Sequence, residues 1–233
     1  MQIPSDSDLI DNIELDMRFE RATLGSDEPE SHLHYLFGDI LLTNFDDETT
    51  DGEEEKVTII GGFQLLLIDG DSARSNGISL DLVYDLNDEA WQFFEGAYNT
   101  EKLIYNENIK KVLGEEIKLS RDKVLIIDRI GILPEYRGRN LGLLVLHNII
   151  ERYSLGASVI AINPAPFEFN SSHIDHGSIR WDDKDSSPDN TKKLGDYYKK
   201  VGFKRVADTP YMVLSTEQKL PKIQMEHRNE KDR

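Results

Sequence analysis

Between Val124 and Arg152 an apolar strand passes through a Pro-marked turn and an Arg-Gly segment straight into a long apolar helix, VLIIDRIGILPEYRGRNLGLLVLHNIIER. Leu141, Leu144, Val145, Asn148, Ile149 and Arg152 recur at the 3.6-residue period, and Leu143, Leu146 and Ile150 widen the stripe. A helix so apolar reads as largely buried, packed on a sheet. Gly138 lets the main chain approach a ligand closely, and the helix start directs unpaired N–H groups and a positive dipole end at the same spot. With Arg137 and Arg139 alongside, the turn reads as a cradle for phosphate.

Two better known Gly-rich anion sites do not fit, since no Gly-Lys-Ser/Thr follows and no G-x-G-x-x-G opens the helix. The run Ile130-Gly131-Ile132-Leu133-Pro134-Glu135-Tyr136-Arg137-Gly138-Arg139-Asn140-Leu141-Gly142 instead resembles the acetyl-CoA motif of the GCN5-related N-acetyltransferases. That motif reads Arg/Gln-x-x-Gly-x-Gly/Ala after a strand ending in an apolar residue, any residue and Pro. Asn140 stands where the family usually has its second glycine. Asn accepts unusual backbone angles more readily than most residues, but its side chain falls beside the expected pyrophosphate. Downstream, Leu194 to Phe203, LGDYYKKVGF, is similar to the family's last helix and its Tyr-x-x-x-Gly-Phe ending, with Tyr198 at the tyrosine position and Thr191 where an Asn is usual. The two pieces cover about a third of the chain and occur in the family's order.

The resemblance implies an α/β fold with a central mixed, mostly antiparallel sheet flanked by helices, whose neighbouring parallel strands splay beyond Gly131 to admit a pantetheine arm. It implies transfer of an acetyl group from acetyl-CoA, as cosubstrate, to an amine by direct attack. Main-chain groups of Ile130 and Ile132, either side of Gly131, would pair with pantetheine. N–H groups of Gly138, Arg139, Asn140, Leu141, Gly142 and Leu143 would hold the pyrophosphate with Arg137, and Tyr198 would protonate the leaving thiolate. A domain of the same fold that has lost turnover, and senses acyl-CoA or engages a partner protein, is the alternative.

Asp128 and Arg129 are unexpected in an apolar strand, Lys123 to Leu133. Alternation sets Asp128 on one face with Ile126 and Ile130 unless a bulge resets the parity. Asp128 is the candidate general base or amine-binding carboxylate, because an acceptor amine arrives as ammonium and must lose a proton before it attacks a thioester. The structural reading is a charge pair with Arg129.

At 233 residues and 38% hydrophobic content the chain can bury a sizeable core in one domain, expected over 13–215, with inserts near 85–120 and 164–190, a flexible start at 1–12 and a polar tail at 216–233. The absence of Cys excludes disulfides, thiolate metal sites and a Cys nucleophile. A formal charge of −17 argues against nucleic-acid binding and favours cationic partners, a small-molecule or protein amine. Residues 1–60 alone hold 17 Asp and Glu against 3 Arg and Lys. No apolar run spans a bilayer and the N-terminus is acidic, so a cytoplasmic protein with no membrane partner is expected.

Leu33 to Asn44 and Lys56 to Asp69 read as an antiparallel pair around an acidic loop, Asp46 to Glu55. Ile13 to Arg21 reads as an apolar edge segment, and an exposed edge strand could pair two copies in a homodimer. Ile78 to Tyr84 reads as a short strand, Asn87 caps a helix with an aromatic face, and Asn99 to Ser120 is helical in part with a break at Gly114. Ser158 to Asn163 reads as the fifth strand, ended by Pro164 and Pro166, and Val206 to Ser215 as the last. Asn170 to Asn190 reads as a lid over the acceptor site. His173 and His176 lack a third ligand, so no metal is expected.

Overall fold

The computed structural model describes residues 13–19, 27–44, 56–114, 122–154, 156–169, 181–183 and 187–223. The acidic loop at 46–55, His173 and His176, and most of the expected lid, flexible start and tail lie outside them. Strands β1 (Ile13–Phe19), β2 (Leu33–Asn44) and β3 (Lys56–Asp69) lead into four short helices, α1 (Gly70–Ser75), α2 (Leu80–Tyr84), α3 (Asp88–Ala97) and α4 (Glu107–Leu113). The two-residue strands β4 (Tyr98–Asn99) and β5 (Ile104–Tyr105) pair with each other between α3 and α4. Then come β6 (Lys123–Ile132), α5 (Leu141–Tyr153), β7 (Val159–Ile162), the pair β8 (Phe167–Phe169) and β9 (Trp181–Asp183), α6 (Pro188–Lys199), β10 (Lys204–Arg205) and β11 (Met212–Ser215).

Seven strands form a mixed sheet in the order β1-β2-β3-β6-β7-β11-β10. Every pairing is antiparallel except β6 with β7. The parallel pair demands a crossover, and α5 supplies it. Alternation along the strands loads both faces with apolar residues, giving two cores. One holds Leu125, Ile127 and Ile160 against Leu141, Val145, Leu146 and Ile149 of α5 and Tyr198 of α6. The other holds Val124, Ile126 and Ala161 against Val83, Phe93, Phe94 and Ile109 of α2 to α4. No helix among the described residues is long and apolar enough to cross a membrane.

Ile78 to Tyr84 is two residues without regular structure followed by α2, not a strand. Its residues alternate apolar and polar, but Leu80, Val83 and Tyr84 are buried and Leu82 is exposed, the helical spacing. Packing against the second core overrides the local period. Val206 to Ser215 is likewise shortened to β11, with β10 before it and a turn between.

Gly61 of β3 lies where only a glycine fits, because a Cβ there would stand 2.3 Å from the carbonyl oxygen of Gly131 on β6. The obstacle is backbone in the middle of a sheet and cannot swing away. Gly61→Ala is expected to cost on the order of 3 kcal/mol, read as a lowered urea midpoint with an unchanged slope.

Candidate functional site

β6 and β7 pair only from Val124 with Val159 to Ile127 with Ile162. β6 continues to Ile132, whereas β7 stops and Pro164-Ala165-Pro166 leads the chain away, since proline cannot donate to a ladder. The strands therefore splay just past Ile127, earlier than the expected opening beyond Gly131. The Leu133 N–H donates to Ile60 O at 2.8 Å, so Leu133 and Gly131 address β3 and, by alternation, Ile130 and Ile132 turn their main-chain groups into the gap.

A cavity of about 520 Å³ occupies this gap. It is lined by Ile130, Gly131, Ile132, Arg137, Gly138, Asn140, Leu141 and Gly142 on one side and by Ala165, Pro166, Phe167, Leu194, Tyr197, Tyr198 and Lys200 on the other. Arg139 and Leu143, whose N–H groups the resemblance assigns to the pyrophosphate, are absent from the lining. Leu143 faces the core instead and Arg139 is buried.

The turn keeps its shape through two left-handed residues, Gly138 at φ 85° and Asn140 at φ 59°, ψ 14°. Asn is among the few side chains that occupy this region readily, which is why the loop tolerates it in place of glycine. No described residue accepts from the N–H groups of Leu141 and Gly142 at the start of α5, so two donors of the first turn point toward the cavity. Two other groups expected to meet a ligand are engaged. The Leu143 N–H donates to the Tyr197 hydroxyl at 3.2 Å and to Asn140 O at 3.0 Å, and Arg137 Nε donates to Ile132 O at 2.6 Å. Burial draws the Arg137 guanidinium below its ordinary pKa.

Tyr198 is 6% exposed, lines the cavity, and its hydroxyl hydrogen-bonds to no described residue. Burial raises its pKa above the ordinary tyrosine value, so the phenol keeps its proton. Tyr197 was not singled out by sequence reasoning. The signal was present in the helical spacing of Leu194, Tyr197 and Tyr198, which lets all three reach one face.

Asp128 does not line the cavity. It has no partner across the β3–β6 ladder, where Gln64 pairs with Arg129 and Leu65 with Ile127, so it is the extra residue of a bulge. The bulge resets the parity: Ile126 packs in the core beneath α3, whereas Ile130 packs against the α5 side. Asp128 thereby falls at the fork of the sheet beside Glu89 of α3. Burial, opposed by Arg129 and assisted by Glu89, pushes its pKa up to about 6.

Among the described residues no group of three or more His, Asp or Glu could hold a metal ion. No protein-family model matches the chain, and no curated protein matches it significantly. Two solved structures align with most of it. A KacTA-DNA complex shares 9% identity at a TM-score of 0.37, over 88% of this chain and 94% of that one. A mutant of KacT shares 8% identity at a TM-score of 0.37, over 87% and 96%. Similarity at this level carries no argument about function, which stands on the residues of the cavity.

Proposed function

We propose that the chain is an N-acetyltransferase that moves the acetyl group of acetyl-CoA to an amine by direct attack. The observation that carries the reading is the cavity in the forked sheet, where the Arg137 to Gly142 turn and the unbonded Tyr198 hydroxyl meet. The Leu141 and Gly142 amides, the positive end of α5 and the Arg137 and Lys200 side chains suit a diphosphate. Ile130 and Ile132 offer main-chain groups to an amide-bearing arm. Acetyl-CoA supplies the activated acyl group. As the C–N bond forms and the C–S bond breaks, one ammonium proton passes to Asp128 and a second N–H proton reaches sulfur with Tyr198 as donor.

Calorimetry with CoA, followed by thiol release over an amine panel, tests this. CoA is expected to bind and to raise the melting temperature, and Tyr198→Phe is expected to slow thiol release about 100-fold while leaving CoA affinity within about threefold. The contact of Arg137 with Ile132 O, a group the arm would need, favours a second reading, a domain that binds acyl-CoA or a partner protein without turnover. CoA binding with no thiol release on any amine would select it. No binding at all would remove both.

A further inference from the structure

Polar groups from four separate elements converge at the fork of the sheet. Asp128 and Arg129 stand at the β6 bulge, Asn163 follows the last paired residue of β7, Tyr211 precedes β11, and Glu89 lies in the first turn of α3. Glu89 is well supplied with donors. The Tyr211 hydroxyl stands 2.8 Å from Glu89 Oε1 and 2.9 Å from Glu89 O, and the Asn163 side chain hydrogen-bonds the same carboxyl. Burial raises the Glu89 pKa, and the two donors oppose that rise by stabilising the carboxylate.

Asp128 and Arg129 lack such support. The Asp128 side chain is 10% exposed and accepts no hydrogen bond from any described residue. No described residue accepts a hydrogen bond from Arg129, whose Nε is buried and lies 3.8 Å from Asp128 Oδ1, beyond hydrogen-bond reach. The guanidinium lies over the ring of Phe167, 4.7 Å from the centroid, and Phe167 in turn lines the cavity. The Arg129 side chain is 31% exposed, so part of it can be reached. A nine-tenths buried carboxylate without a donor stands beside a guanidinium without an acceptor, and each calls for a partner.

On the reading of the adjoining cavity as an acyl-thioester site, we infer that the acceptor is a free α-amino acid, whose ammonium group meets Asp128 and whose carboxylate meets the guanidinium of Arg129. Charge and shape exclude simpler guests. The carboxylates of Asp128 and Glu89 outnumber the Arg129 guanidinium by one, so a lone anion is repelled and the guest must bring a cation. A plain amine satisfies Asp128 and leaves the guanidinium bare. An amine with a carboxylate on the adjoining carbon satisfies both, and the 3.8 Å between the two side chains suits charged groups set so close together. The planar fork of Arg matches a carboxylate with two parallel N–H donors, and the ring of Phe167 fixes its plane. Arg129 is thus a specificity-determining residue. Acetylation turns the ammonium into a neutral amide, which loses its hold on Asp128 and leaves the product an anion beside an excess of negative charge, so the product is driven out.

Thiol release from acetyl-CoA by the full chain is compared across matched sets, each a proteinogenic amino acid, its carboxamide and the amine that lacks the carboxyl group. The preferred amino acid is expected to exceed its carboxamide by at least about 100-fold in kcat/KM, because the carboxamide leaves the guanidinium without an anion. Arg129→Gln is expected to shrink that ratio to within about threefold. A wild-type chain that uses the carboxamide or the bare amine as well as the acid overturns the inference, and so does an Arg129→Gln variant that keeps the full preference. The wild-type sets decide even should the variant fail to fold. Calorimetry of the same compounds, with and without saturating CoA, separates the two readings. Amino acids that bind more tightly than their carboxamides to a chain that binds no CoA keep the fork and sink the thioester site. A chain that binds CoA and no amino acid keeps the thioester site and sinks the fork.

Discussion

Asp128→Asn is expected to slow acetyl transfer by a factor of about 10² to 10⁴ and to make the folded chain more stable above pH 7. The two effects share one cause. The Asp128 carboxyl ordinarily loses its proton near 3.8 and in the folded chain near about 6, so the folded state holds the proton more tightly than the unfolded one. Stability then falls as pH rises from about 4 to about 6 and is level above that, by about 3 kcal/mol for a gap of about two pH units. Asn carries no charge to bury and escapes the loss. Melting curves should coincide for the two proteins at about pH 4 and separate at about pH 8 by about 6–12 °C, the variant higher. Equal melting temperatures at about pH 8 would show that Asp128 ionises in the fold as freely as in water.

Gly142→Asp is expected to abolish CoA binding without harming the fold. A Cβ at Gly142 would meet the Tyr197 hydroxyl oxygen at 3.4 Å, ordinary contact, and the backbone is already helical. A carboxylate there would sit in the first turn of α5, where the helix dipole favours it by about 0.3–1 kcal/mol. It would also face the cavity and take the amides assigned to the diphosphate. Like charges brought together in a cleft cost several kcal/mol, so the affinity should fall by at least about 100-fold while the melting temperature of the ligand-free protein holds or rises. Retained CoA affinity in this variant would place the phosphates elsewhere.

Much of the frame is legible in the sequence because the governing patterns are local. β2 and β3 are long apolar runs separated by charge, and their bounds follow directly. α5 carries its period over thirteen residues. α2 does not, since five residues suit both periods and only the core beneath it decides. The turn and Tyr198 are legible through a motif in which neighbours in sequence are neighbours at the cavity. The fork is different: Glu89, Asp128, Asn163 and Tyr211 lie in four segments that only the strand order brings together. Even Asp128, noticed as a charge out of place, gains its orientation from a bulge set by the partner strand.

The contacts of Arg137 with the Ile132 carbonyl and of Tyr197 with the Leu143 amide have a thermodynamic corollary. Each satisfies within the cleft a backbone group that a guest would otherwise claim, so docking exchanges one partner for another rather than adding a new one. Such swaps leave little net heat. Association at this cleft should accordingly draw its driving force from shed water and from charge meeting charge, and should weaken as salt is added.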